Sequence, residues 1–165
     1  MTYIGKYDNI EDNYKALCLA VKSQLDDEID VIANFANISA FVMAFMDGIN
    51  WAGFYILKEN ELVLGPFQGK PACVRIPFGK GVCGNAAKEN VVICVKNVHE
   101  YEGHIACDSD TNSEIVLPIY KNGNVYGVFD IDSPKFERFG SLEQKYLQEI
   151  AEFISNFLDK IKEKL

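Results

Sequence analysis

The sequence predicts an α+β protein in which helices bracket a mainly antiparallel sheet and pack on one of its faces. Three observations predict it. Apolar residues recur at helical spacing near both ends, alternating strand-like segments fill the middle, and Asn122-Gly123 marks a tight turn between two of them. The 165 residues suit one domain covering residues 1–165, since single cores run to roughly 100–200 residues.

Taken in order, residues 9–25 put Tyr14, Leu17, Cys18, Val21 and Leu25 on one helical stripe, and residues 30–46 do the same with Val31, Phe35, Ile38, Val42 and Phe45 before Asp47-Gly48. These make a helical block over residues 9–46. Residues 50–57 alternate and are rich in aromatic and branched side chains, a strand that turns at Glu59-Asn60 into another over residues 61–65. A loop with Pro66, Gly69 and Pro71 leads to a strand at 73–76. Residues 81–88 read as a short helix and 91–95 as a strand. Residues 97–112 show no period, and a loop that long in a compact domain is usually functional or disordered. Strands at 115–119 and 125–131 follow. Ser141, with Gln144 three residues on, has the pattern of a capping box opening a helix over residues 141–163.

Charge narrows the function. Sixteen basic against 24 acidic side chains give a net charge of −8, which argues against nucleic acid and anionic membrane partners. The longest apolar run, residues 41–46, is far short of the roughly 20 residues that span a bilayer, and residues 1–6 lack the apolar stretch of a secretion signal. The expected location is the cytoplasm. Five cysteines (Cys18, Cys73, Cys83, Cys94 and Cys107) with only two histidines lack the close spacing of a structural zinc site. Buried inert thiols or redox chemistry remain, and four of the five lie between Cys73 and Cys107.

The last hairpin carries a further expectation. A two-residue turn would mix acidic and apolar residues on both sheet faces. A three-residue loop, Lys121-Asn122-Gly123 with Gly123 left-handed, instead gathers Ile115, Leu117, Ile119, Val125, Phe129 and Ile131 on one apolar face. The opposite face then collects Glu114, Asp130 and Asp132 beside Val116, Tyr126 and Val128. Three carboxylates there make a cation site or a proton donor, because mutual repulsion raises at least one pKa; at a solvated rim they would do neither. Trp51 and Tyr55 share a strand face with Gly53 between them leaving open space. An aromatic wall facing carboxylates suits a small ligand with an apolar tail and an ammonium head.

The ordered motifs Trp51-Ala52-Gly53-Phe54-Tyr55, Pro71-Ala72-Cys73-Val74-Arg75-Ile76, Gly79-Lys80-Gly81-Val82-Cys83-Gly84, Gly103-His104-Ile105-Ala106-Cys107-Asp108-Ser109, Asn112-Ser113-Glu114 and Asp130-Ile131-Asp132-Ser133-Pro134 closely resemble the free methionine-(R)-sulfoxide reductases, enzymes built on a single GAF domain. The resemblance covers roughly residues 30–134. It implies that Cys107 is the nucleophile, Cys73 the principal resolving cysteine and Cys83 an auxiliary one. It implies that Glu114, Asp130 and Asp132 hold the substrate amine and assist protonation of the sulfoxide oxygen, with Trp51 and Tyr55 around the methyl-sulfinyl end. It further implies a homodimer recycled by thioredoxin, with no metal or organic cofactor. Cys18 and Cys94 read as buried core thiols, and His104 as a residue orienting its loop. A non-catalytic GAF ligand-binding module and a thiol redox sensor are the alternatives, and turnover separates them from a reductase.

Overall fold

A computed structural model describes residues 7–161. Two long helices, α1 (Ile10–Asp27) and α2 (Val31–Phe45), precede the strands β1 (Trp51–Lys58), β2 (Glu61–Gly69) and β3 (Arg75–Pro77). A short helix α3 (Gly81–Glu89) and strand β4 (Ile93–Val95) follow, then β5 (Ser113–Lys121), β6 (Asn124–Ser133) and the closing helix α4 (Ser141–Lys160). The strands form one six-stranded sheet in the order β3-β2-β1-β6-β5-β4, and every pairing is antiparallel. Among the described residues no helix is long and apolar enough to cross a membrane.

The first two helices start where their caps dictate. Asn9 and Asp30 accept backbone N–H groups of Glu11 and Ala33 through their side chains, which satisfies donors that the first turn leaves free. The closing helix starts differently from the expectation. Ser141 is already helical, and the cap is Gly140, whose N–H donates to Glu143 Oε2 at 2.9 Å. Gly140 has no side chain to offer, so only the backward arm of a capping box forms, and Gln144 turns its amide to the carbonyl of Phe139 instead. The helix ends at Lys160, short of the expected 163; residues 162 and 163 lie outside the described residues.

Two cores flank the sheet. One joins α1, α2 and α4 to the apolar face of the strands through Leu17, Phe35, Ile38, Phe129, Ile131 and Ile150. The other, on the far face, holds Trp51, Tyr55, Val116 and Val128 together with Val82, Ala86 and Ala87 of α3. So the three long helices share one face, and the short α3 lies on the other. That second face is only partly roofed, and it is where the site forms.

Strand register explains both the successes and the misses of the sequence reading. β2 continues past residue 65 through Pro66 to Gly69. Gly53 pairs with Phe67 but Tyr55 with Leu64, so Gly65 and Pro66 together oppose Phe54, and a proline without an N–H is tolerated at such a bulge. The β5–β6 turn is two residues rather than three: Lys121 pairs with Asn124, and Asn122 and Gly123 both have positive φ, 51° and 77°. The register shift comes from a bulge one step later, where Tyr120 pairs with Val125 and Ile119 with Gly127. Ile115, Leu117, Ile119, Phe129 and Ile131 therefore lie under the helices as expected. Val125 and Tyr126 exchange sides, because the bulged Tyr126 turns toward the helices, its ring edge-on to Phe35 at 6.4 Å.

Candidate active site

The second face carries a pocket lined by Trp51, Tyr55, Cys83, Cys107, Glu114 and Asp130, among others, with about 520 Å3 of space unfilled by atoms and partly open to solvent. Seven of the eight residues expected in the site from the sequence line this pocket, and the eighth, Cys73, is bonded to Cys107 beside it. Six come from regular elements, Trp51 and Tyr55 from β1, Cys83 from α3, Glu114 from β5, Asp130 and Asp132 from β6. Cys107 comes from the long loop over residues 97–112, and Cys73 from the segment between β2 and β3.

Cys73 and Cys107 are joined in a disulfide with Cα atoms 5.5 Å apart, and both are half-buried. Cys83 is a free, buried thiol. Cys18 is a core thiol as expected, but Cys94 is half-buried rather than buried, its Sγ 3.3 Å from the carbonyl of Phe139 at the outer edge of the sheet.

The carboxylates owe their convergence to register. Glu114 sits directly opposite Asp132, and Asp130 is opposite Gly53 of β1. Glu114 and Asp130 are each only 6% exposed, so the solvated-rim alternative does not hold for them. Asp132 is half-buried. Burial is the main force on all three: it pushes Glu114 and Asp132 well above the usual carboxylate range, aided by repulsion from Asp130. Asp130 is pushed up to about 6, its rise checked by hydrogen bonds from Cys83 and Glu114. Cys83 Sγ lies 3.8 Å from Glu114 Oε1, and burial with the surrounding carboxylates drives its thiol far up as well. One oxygen of Asp130, Oδ1, is buried and has no partner among the described residues. An orphaned acceptor of this kind costs about 1–3 kcal/mol and marks a place prepared for a donor.

The aromatic wall differs from the expectation in one respect. The space beside Gly53 is filled, not open: a Cβ there would come within 2.7 Å of the Trp51 ring. Trp51 stacks on Tyr55 and Phe67 with centroids 5.9 and 5.3 Å away, and its indole N–H donates to the carbonyl of Lys70. Gly53 thus lets the indole lie flat along the sheet as the wall itself. The Tyr55 hydroxyl donates to the carbonyl of Cys73 at 2.9 Å, tying that wall to the disulfide.

Several residues that hold the site were not singled out in the sequence. Lys70 forms ion pairs with Asp108 and Asp110, and the Asn50 amide donates to Asp108 Oδ2 and Thr111 Oγ1. Together they fasten the Cys107 loop to β1 and to the segment before Cys73. Asp108, next to Cys107 in the motif, was the available signal for this anchor. His104, expected to orient its loop, brings Nε2 to 3.7 Å from Glu114 Oε2. Burial and His99 lower the His104 pKa while that of Glu114 rises, so a neutral imidazole faces a neutral acid.

Known proteins resemble this chain in sequence and in fold. The family described as GAF domain matches residues 33–159. A protein named free methionine-R-sulfoxide reductase from Escherichia coli (strain K12) is 50% identical over 124 residues, covering 75% of each chain. Among solved structures, the reduced form of fRMsr of Staphylococcus aureus superposes with a TM-score of 0.86 at 48% identity, over 88% of this chain and 95% of that one. Free methionine-R-sulfoxide reductase from Neisseria meningitidis, in complex with its substrate, gives a TM-score of 0.91 at 36% identity, over 96% of each chain.

Proposed function

The chain belongs to the free methionine-R-sulfoxide reductases, enzymes built on the GAF domain, and on that premise we propose that it reduces free L-methionine (R)-sulfoxide to L-methionine. The observation that carries the reading is the meeting, in one pocket, of Cys107 with a buried acid pair and an aromatic wall. The carboxylates divide the work by their protonation. Asp130, titrating near 6 and holding one unpartnered oxygen, is the ionised anchor for the substrate ammonium. Glu114, kept neutral by burial, is the proton donor. Asp132, opposite Glu114 and paired in the sheet with Trp51, closes the amine pocket. Trp51 and Tyr55 enclose the methyl-sulfinyl end.

In the reduced enzyme the Cys107 thiolate attacks the sulfoxide sulfur while Glu114 gives its proton to the oxygen. The hydroxyl then passes from the substrate sulfur to Cys107 Sγ as the bond between the two sulfurs breaks, so methionine leaves with that electron pair and Cys107 is left as a sulfenic acid. The Cys73 thiol displaces it as water, forming the disulfide seen in this structure. An external dithiol restores both thiols by exchange, and thioredoxin is the reductant the account assigns. Cys83, behind the carboxylates, serves as auxiliary thiol. The protein works as a homodimer in the cytoplasm, and light scattering tests the stoichiometry.

The test compares free methionine sulfoxide with its N-acetyl derivative under excess dithiothreitol. Loss of the ammonium leaves the buried carboxylates unpaired, so kcat/KM should fall at least about 100-fold. Equal rates would remove the assigned role of the carboxylates.

A further inference from the structure

We propose that the carboxylate end of the pocket is also a binding site for a thiophilic divalent cation, Zn2+ in particular, and that the metal competes there with the substrate amine. The competition rests on the reading given above; the metal site itself does not.

The donor atoms are already assembled. Cys83, Glu114 and Asp130 each present one ligand atom, and these atoms lie within 4.8 Å of one another, all three residues buried. Cys83 Sγ and Glu114 Oε1 are 3.8 Å apart. In a tetrahedral zinc site, with Zn–S near 2.3 Å and Zn–O near 2.0 Å, sulfur and oxygen ligands stand about 3.5 Å apart, so the Cys83–Glu114 pair needs to contract only slightly. Asp130 Oδ1, with no partner and buried, is an acceptor waiting for a cation. His104 Nε2 lies 3.7 Å from the other oxygen of Glu114, outside this group of three, so solvent completes the shell.

The donor types select the ion. Magnesium and calcium take all-oxygen shells, whereas a thiolate with two carboxylates suits zinc or cobalt. All three ligands are fixed by regular elements, α3, β5 and β6. Binding replaces the Cys83 S–H bond with a sulfur–metal bond and releases the proton to solvent, with no change of oxidation state. It also occupies Asp130, the anchor of the substrate ammonium, and Glu114, the proton donor, so free zinc acts as a reversible brake on the reductase.

The test uses the oxidised protein, in which Cys73 and Cys107 are bonded to each other and do not ligate. Co2+ is added and the thiolate-to-cobalt charge-transfer absorption is followed. The expected result is a one-to-one titration, weakened at least about 10–100-fold in Cys83→Ser and in Glu114→Gln, and unchanged in Cys18→Ser and Cys94→Ser. Circular dichroism establishes that each variant is folded, and Glu114→Gln, which leaves every thiol in place, keeps the test decisive if Cys83→Ser is not. Zn2+ should abolish the band, and free methionine sulfoxide should displace the metal. No band, or a band that persists in folded Cys83→Ser, overturns the site. A Cys83-dependent band that substrate leaves untouched overturns the competition, while the loss of both displacement and turnover would instead indict the reductase reading.

Discussion

Glu114 and Asp132 face each other across neighbouring antiparallel strands, two acidic side chains where a sheet ordinarily sets opposite charges or apolar pairs. Asp130 lies two pairs away, opposite Val116, on the same face. The fold holds this arrangement because burial keeps protons on the acids, and the arrangement should therefore oppose stability as those protons leave.

The sign of that effect is fixed. A carboxyl whose pKa is higher folded than unfolded favours the folded state fully below its unfolded value, near 4, and loses that contribution as pH rises through the folded value. For Asp130 the window runs from about 4 to about 6, and Glu114 and Asp132, also raised well above the usual range, act in the same direction. Asp130→Asn should therefore raise stability at neutral pH by on the order of 2–3 kcal/mol while removing activity. Urea denaturation at pH 5 and pH 7.5 checks this: the gain should be smaller at the lower pH. A loss of stability at both values would contradict the electrostatic account.

Activity should fall on the alkaline side as the neutral acid ionises. Glu114→Gln cannot donate a proton to the leaving oxygen, so kcat should fall by about 10²–10⁴ with a smaller change in KM, and the alkaline limb of the profile should disappear. A KM effect alone would make Glu114 a binding residue.

The disulfide closes a loop across a sequence separation of 34 residues. The oxidised protein should be more stable than the reduced one by about 3–4 kcal/mol, from the lost freedom of the unfolded chain. Parallel guanidinium titrations with and without dithiothreitol measure it, and Cys73→Ser should remove the difference.

Gly84 brings α3 onto the end of β3: a Cβ there would lie 2.5 Å from the carbonyl oxygen of Pro77. Because Gly84 follows Cys83, Gly84→Ala should displace α3 and cost on the order of 2–4 kcal/mol, read by thermal unfolding. An unchanged midpoint would show that the helix moves freely there.

The arrangement of the site was legible wherever period decides the side of a strand. Requiring one wholly apolar face grouped Glu114, Asp130 and Asp132 on the other, which the structure shows to be that of Trp51 and Tyr55, and the motif order pointed to the three pocket cysteines. Where the chain departs from alternation, the sequence is mute. The bulge at Tyr126 adds a residue to one strand without a distinctive residue type, and the exchange of Val125 and Tyr126 follows from that. The space beside Gly53 depended on a Trp51 rotamer, and the cap at Gly140 on a glutamate reaching backward. The ties of Asp108 to Lys70 and Asn50 join residues 38 and 58 positions apart, for which no local pattern exists.

The central claim is tested most directly by giving the reduced protein racemic free methionine sulfoxide with excess dithiothreitol and following both diastereomers and methionine by chiral chromatography. Wild type should consume the R form alone through many turnovers, and Cys107→Ser should consume neither. Failure of folded, reduced wild type to turn over either diastereomer, or methionine formed only once per protein molecule, would contradict the account and favour a ligand-binding module or a redox sensor.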